Sequence, residues 1–393
     1  MTTLGNIEAT PLASLTFVSF DTGDILYVTG KARNLYGSEA HEIMPLQDTL
    51  TELYVTGYTY IRNALPLRVK PDYVIEPSPY SPPIKLLAEE AHLSKMFSQS
   101  DQPTAQLTRI ILHSPTIATF EWESSAILNV KPGQAIIMDF KPLLGSRRYQ
   151  HMSPMKPSLV NDDFIRTWTV SNYLPQGSDS RKFSLTMREK PGGAVTGALF
   201  SIARKLLQVK PEVLENSRDL SLIVNIVGVN GDFILPPSIH DSNGSQVSDG
   251  TGIKQLFWFA GGIGVTPFIS MLSALPKRKE TPPWEIVLLL STREPDIFLS
   301  LIFGALKSIE LPQYLSVHLF TDTDTTYSPS DYGFVRHGGR ISASFLEAKK
   351  DELVSYESDI FLCGSESYEK NVVADLTKLG VNAGRIRREG FLY

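Results

Sequence analysis

The chain has 393 residues, 42% of them hydrophobic and 20% charged, with a formal net charge of −5. That is length enough for two or three globular domains with cores of their own, and nothing in the composition suggests disorder. The acidic balance argues against a nucleic-acid surface. The single Cys363 excludes a disulfide framework and any iron–sulfur cluster held by cysteines of this chain alone.

No run of about 20 apolar residues is present to span a bilayer, and the first residues, Met-Thr-Thr-Leu-Gly-Asn, lack the charged and apolar regions of a secretory signal. The expectation is a soluble, cytoplasmic protein with no membrane span and no nucleic-acid partner. Along the chain, Leu15 to Phe20 and Ile25 to Thr29 are strand-like runs on either side of Asp21-Thr-Gly-Asp24, which reads as a β-hairpin. Leu53 to Ile61 adds a third strand. Such a sheet is marginal alone and needs a partner surface. Thr3-Leu-Gly-Asn6, Phe20 to Gly30 and Ala64-Leu-Pro-Leu-Arg68 resemble the later part of the split barrel of pyridoxamine-phosphate-oxidase-like flavoproteins. Much of that family's FMN-binding half would precede Thr3. Residues 1–70 are therefore expected as a structural remnant or homodimerisation segment rather than a working FMN site.

Pro71, Pro77, Pro79, Pro82 and Pro83 mark an extended linker over 71–104, with a short helix from Ile84 to Phe97. A β-rich domain over 105–237 follows, with strand-like runs at 106–112, 117–122, 134–140, 166–173, 182–188 and 220–227, and its short strands favour a barrel or sandwich. Gly145 to Asp163 reads as a long surface loop within it. From residue 254 to 393, apolar strands at 256–260, 286–290, 316–320 and 359–363 alternate with helices, the last of them running from Glu366 to a stop at Gly380. That alternation means a doubly wound parallel α/β sheet, whose ligands sit at the strands' carboxyl ends.

Three stretches carry candidate chemistry. In Gly261-Gly-Ile-Gly264, after a strand buried on both faces, the glycines permit a sharp turn and close approach of a ligand, with Thr266 as helix N-cap and Pro267 as first helical residue. Amides at that helix start attract an anion. Pro267 stands where the dinucleotide fingerprint has its third glycine, so a tight turn without a ligand is the plain alternative. In Arg166-Thr-Trp-Thr169, Arg166 and Trp168 face one way on a strand and Thr167 and Thr169 the other. The arginine can pair with a diphosphate, the indole can lie along a flat ring, and a hydroxyl can bond a ring nitrogen; an ordinary strand with one core tryptophan is the alternative. Finally, Gly192 and Gly193 precede a helical run from Ala194 to Leu207, again presenting amides to an anion.

The order of these motifs, with Gly231-Asp-Phe-Ile-Leu-Pro236 and Cys363-Gly364, resembles the ferredoxin–NADP reductase superfamily of FAD-binding FR-type oxidoreductases from Ala105 to Tyr393. The resemblance implies an antiparallel β-barrel FAD domain followed by the α/β nucleotide-binding domain. It places Arg166 on the FAD diphosphate, Trp168 against the flavin and Thr169 near its N5, with Gly193, Ala194, Val195 and Thr196 forming the diphosphate turn. Gly261, Gly262, Gly264 and Thr266 would cradle NADPH or NADH, with Cys363 and Gly364 beside the nicotinamide. Glu389 would support proton transfer, and Phe391 or Tyr393 would cover the ring, although Tyr393 reads equally as a frayed terminus. The chain has Trp168 where tyrosine is usual, Thr196 where serine is common and Ser365 where proline often follows; ring and hydroxyl survive. Arg293 can read a 2′-phosphate and so favour NADPH, or be a solvated loop arginine. Cys363 alone reads as a small buried residue, His337 as loop, and no histidine pair has metal spacing. The implied activity is a flavoprotein oxidoreductase that takes hydride from NAD(P)H onto FAD and passes electrons to a protein, oxygen or small-molecule acceptor. A flavin-free scaffold or redox-complex subunit is the alternative.

Overall fold

The computed structural model describes residues 2–44, 47–69, 102–145, 155, 160, 162–174, 178–236, 255–275, 284–308 and 310–389. The helix expected at Ile84–Phe97, most of the linker, most of the 145–163 loop, and Phe391 and Tyr393 lie outside the described residues. The chain divides into two compact units.

The first unit holds helix α1 (Thr2–Ala9) and strands β1 (Leu12–Val18), β2 (Ile25–Tyr36) and β3 (Thr49–Ile61), antiparallel in that order. The Asp21–Asp24 turn closes through Ser19 N–H donating to the Asp24 carbonyl at 2.9 Å, with Gly23 at φ 75°. The strands run well past the alternating stretches seen in the sequence, because β2 and β3 stay paired as far as Tyr36 opposite Thr49. Gly30 sits at a register shift, where a Cβ would lie 2.0 Å from the Tyr54 carbonyl, so only glycine fits this bulge. Buried Asn34 ties α1 to β2 by donating to the Leu4 carbonyl at 2.9 Å and to Glu8 Oε1 at 2.8 Å.

The second unit contains two six-stranded sheets. The first is antiparallel, in the order β7 (Ile165–Thr169), β6 (Ala135–Asp139), β9 (Ile223–Asn230), β4 (Thr104–Ser114), β5 (Ile117–Ser124), β8 (Lys182–Arg188). Its edges meet where Ser171 N–H donates to the Ser184 carbonyl at 2.8 Å, which curls the sheet into a barrel. Buried Trp122, Phe120, Phe140 and Phe183 fill it. The barrel also holds a polar thread. Ser171 Oγ donates to the Ser184 carbonyl at 3.0 Å, so its oxygen accepts from Thr186 at 3.0 Å; Thr186 accepts from Thr119 at 2.8 Å, and Thr119 accepts from His113 Nε2 at 2.8 Å. Each hydroxyl donates once, which makes Nε2 the protonated nitrogen of His113. Thr186→Val keeps the shape but removes the donor that Ser171 Oγ accepts from and the acceptor that the Thr119 hydroxyl donates to. It is expected to lower unfolding stability by about 1–3 kcal/mol, measured by denaturant titration, with Thr186→Ser losing clearly less.

The other sheet is parallel throughout, in the order β13 (Val335–His337), β12 (Leu315–Phe320), β11 (Glu285–Ser291), β10 (Gln255–Gly261), β14 (Ser358–Cys363), β15 (Ile386–Arg388). Fully buried Leu256, Phe257, Trp258, Phe259 and Ala260 explain the unbroken apolar run, since β10 is central and covered on both faces. Trp258 stacks on Phe268 of the following helix at 5.1 Å. Strand order reverses between β10 and β14, and their carboxyl ends form the switch point where such sheets bind ligands. His337 departs from its expected place in a loop: it lies on β13, stacked on Phe320 at 4.5 Å and on His318 at 5.2 Å. A three-residue edge strand is too short to show an alternating pattern.

The two sheets of this unit are locked together. Gly133 N–H donates to Ser270 Oγ at 3.3 Å, Ser270 Oγ donates to the Asn172 carbonyl at 3.3 Å, and Arg188 at the end of β8 is ion-paired with Glu294. A Cβ on Gly133 would lie 2.1 Å from the Phe233 carbonyl.

Candidate active site

Three chain segments converge on one carboxylate. Thr169 ends β7 of the barrel, Cys363 ends β14, and Glu389 follows β15, the edge strand beside β14. Thr169 Oγ1 donates to Glu389 Oε1 at 2.5 Å, and Cys363 Sγ donates to Glu389 Oε2 at 3.4 Å. Glu389 thus bridges barrel and α/β sheet by accepting from both. Burial raises its proton affinity; the Thr169 and Cys363 bonds oppose this, and nearby Glu369 adds to it, so that its pKa is pushed up to about 7. The Cys363 thiol is buried and faces that carboxylate. Both effects hold it well above the usual thiol range, so it stays S–H at neutral pH and serves as a donor rather than a nucleophile.

Strand β7 also carries the other residues singled out in the sequence. Trp168 is half-buried, its ring edge-to-face with Phe140 at 5.3 Å, which itself meets Trp122 at 6.0 Å. The indole is therefore anchored on the barrel core. Arg166 Nη1 donates to the Ile165 carbonyl at 2.8 Å and lies 3.9 Å from Asp163, which holds the guanidinium while leaving part of it accessible. Thr167 Oγ1 is buried and has no hydrogen-bond partner among the described residues. A buried hydroxyl in that state wants a partner.

Gly192 (φ 72°) and Gly193 lead into the helix α2 (Ala194–Val209). No side chain caps α2, and a Cβ on Gly192 would meet nothing within 4 Å. The Thr196 hydroxyl accepts the Lys190 N–H at 3.1 Å and so closes the turn from within. Ala194 and Val195 open the helix, with Val195 buried in the barrel core.

At the end of β10 the chain departs from the simple strand-to-helix turn. A 3₁₀ turn, Gly262–Val265, intervenes before helix α3 (Thr266–Ala274). Thr266 is already helical at φ −56° and ψ −43°, and Val265 occupies the cap position. Thr266 is thus not the N-cap expected of it, nor Pro267 the first helical residue, because the glycine turn has already wound the backbone. The three glycines also differ in what they allow. Gly262, at φ 54°, faces open space. A Cβ on Gly261 would lie 2.5 Å from the Tyr368 ring, and one on Gly264 would lie 2.3 Å from the Cys363 carbonyl. Close packing of β10 on β14 and on the helix α5 (Glu366–Lys378) after it therefore accounts for two of the three glycines. Gly264→Ala must push backbone against backbone, and is expected to lower unfolding stability by about 2 kcal/mol or more in a thermal melt.

Gly364 follows Cys363, and a Cβ there would also meet the Tyr368 ring at 2.5 Å. Arg293 is exposed in the loop between β11 and the helix α4 (Pro295–Leu306), and its neighbour Glu294 is the residue paired with Arg188. Two neighbours of the site were not anticipated: Tyr368, wedged against Gly261 and Gly364, and Glu369, which accepts the Gly364 N–H at 3.2 Å. Both lie in the first turns of α5, where acidic and polar residues are ordinary helix starters and give no separate signal. Among the described residues, no group of His, Cys, Asp and Glu is placed to hold a metal ion, and no helix is long and apolar enough to cross a membrane.

No family model matches this chain, and no curated protein sequence matches it. Among solved structures it is similar to the flavohem-like FAD/NAD-binding domain of nitric oxide dioxygenase from Vibrio cholerae, at 16% identity and TM-score 0.44, over 74% of this chain and 98% of that one. It is similar to the cytochrome b5 reductase domain of Ulva prolifera nitrate reductase, at 19% identity and TM-score 0.47, over 75% of this chain and all (100%) of that one. It is similar also to a ferredoxin NADP+ reductase from Neisseria gonorrhoeae with bound FAD and NADP, at 16% identity and TM-score 0.45, over 73% of this chain and 97% of that one.

Proposed function

We propose that this protein is an FAD-dependent oxidoreductase that accepts hydride from NADPH or NADH and delivers the electrons to a separate acceptor. The observation that carries this reading is the convergence of Thr169, Glu389 and Cys363 at the joint between the barrel and the switch point of the α/β sheet. Such a joint gives two dinucleotides one meeting place.

The residues present fit FAD. Arg166 offers a held cation, the uncapped α2 behind Gly192 offers amides with open space in front, and the Thr167 hydroxyl is buried without a partner. When bound, the flavin supplies the hydride-accepting chemistry. Around it this chain's residues bind, orient and handle protons. Arg166 and the start of α2 neutralise phosphate charge, and Trp168, braced by Phe140, offers a fixed flat wall. Glu389 is positioned by Thr169 and Cys363 and titrates near neutral pH, which suits it to hold or release a proton at Oε1 or Oε2. Gly262 and the start of α3 are the places for a nicotinamide dinucleotide phosphate, and exposed Arg293 favours NADPH.

One observation favours a second reading. The Tyr368 ring occupies the space beside Gly261 and Gly364, which the sequence resemblance assigns to the nicotinamide side. A chain whose nucleotide site is filled from within would act as a flavin-free scaffold or subunit. Purified protein decides between them. A yellow protein that bleaches on anaerobic addition of NADPH or NADH supports the reductase, whereas a colourless protein that takes up no added FAD supports the scaffold.

A further inference from the structure

Glu369 is a half-buried carboxylate one turn into α5, and the helix does not need it there: Ser365 Oγ already caps α5 by accepting the Tyr368 N–H. Instead Glu369 reaches back to the strand end, where its Oε1 accepts the Gly364 N–H at 3.2 Å. That bond fixes a negative charge beside the Cys363–Gly364 corner. Burial raises the proton affinity of Glu369 itself; the Gly364 bond and Arg388 of β15 oppose this and favour its ionised form, while Glu366 of its own helix disfavours it. Its own charge is felt by Glu389 and by the Cys363 thiol. Two carboxylates that share a partly desolvated corner, with Arg388 beside them, do not both ionise freely.

We propose that Glu369 is a positioning residue for the Thr169–Glu389–Cys363 cluster: a second carboxylate, pinned by the Gly364 amide, whose negative charge keeps the proton on Glu389. The inference rests on reading that cluster as the proton-handling part of the proposed reductase, but its test is a titration and needs no turnover. The ionisation of Glu389 is followed in the purified full-length protein by carboxyl ¹³C NMR, its signal assigned by its loss in Glu389→Gln.

Glu369→Gln retains an oxygen to accept the Gly364 N–H and removes only the charge. It is expected to lower the Glu389 midpoint by about half to one pH unit, a three- to tenfold loss of proton affinity. Glu369→Ala should lower it at least as far. An unchanged midpoint in Glu369→Gln overturns the proposal. So does a shift in Glu369→Ala alone, which would mean that the Gly364 bond matters and the charge does not. Should Glu369→Gln fail to fold, the Glu369→Ala titration decides, and an unchanged or raised midpoint there overturns it. A protein that is yellow and bleached by NADPH, yet shows no shift, refutes this inference and leaves the proposed function standing; a colourless protein with the expected shifts does the reverse.

Discussion

Arg166→Ala is expected to raise the dissociation constant for FAD by about 10- to 100-fold, corresponding to loss of one charge-assisted contact of about 1.5–3 kcal/mol. The guanidinium is already oriented before any ligand arrives, by its bond to the Ile165 carbonyl and by Asp163. Little side-chain entropy is then lost on binding. The substitution should leave the barrel intact, since the side chain is half-buried and the core around Phe140 and Trp122 does not include it. Arg166→Lys should keep the charge but lose the planar fork, and should fall between wild type and alanine. Flavin-fluorescence quenching measures all three. Stoichiometric flavin at unchanged affinity in Arg166→Ala would show that the diphosphate is held elsewhere, and the site would have to be redrawn around α2 alone.

The parts of this fold legible in the sequence are those where one local rule dominates. The run Leu256–Ala260 could only be a strand covered on both faces, and it became the centre of the parallel sheet. Gly380 ended α5 with φ 100°, as a glycine just past a helix does. Thr169, Cys363 and Glu389 could be named as candidates, although they are separated by nearly the whole length of the two sheets in sequence. What joins them is tertiary. β15 is three residues long and carries no pattern, yet it is the strand that delivers Glu389 to Thr169. The neighbours of the glycine turn are hidden in the sequence for the same reason. Nothing local to Gly261-Gly-Ile-Gly264 indicates that Tyr368 and the Cys363 carbonyl will be its neighbours. Sequence spacing identifies a turn that tolerates close approach, and only the folded chain decides whether ligand or protein makes that approach.

Glu389→Gln is expected to reverse its effect on stability between acidic and alkaline pH. The folded chain holds this carboxyl at about 7 against an ordinary value of 4.5, mainly because burial penalises the charge. Between those two values the folded state keeps a proton that the unfolded chain has released, so unfolding stability falls as pH rises through this window. The contribution is complete below pH 4.5 and lost above 7. The full span is about 3 kcal/mol as an upper figure. Glutamine is neutral throughout and has no such slope. It can still accept from Thr169 through its one oxygen, but its amide nitrogen cannot accept from Cys363, a loss of about 0.5–1 kcal/mol. The variant should accordingly be slightly less stable than wild type near pH 4.5, and more stable by about 1–2 kcal/mol at pH 8. Urea unfolding at both pH values reads this directly, and a difference that does not vary with pH would show that Glu389 titrates normally. The same exchange should cut NAD(P)H-driven turnover by about 100-fold and remove the limb of the pH profile centred near neutrality. Both outcomes follow from one cause: the environment that makes Glu389 costly to ionise also holds its proton in the pH range where a reductase would have to move it, so stability lost above neutrality is the counterpart of a usable acid at the joint of the two sheets.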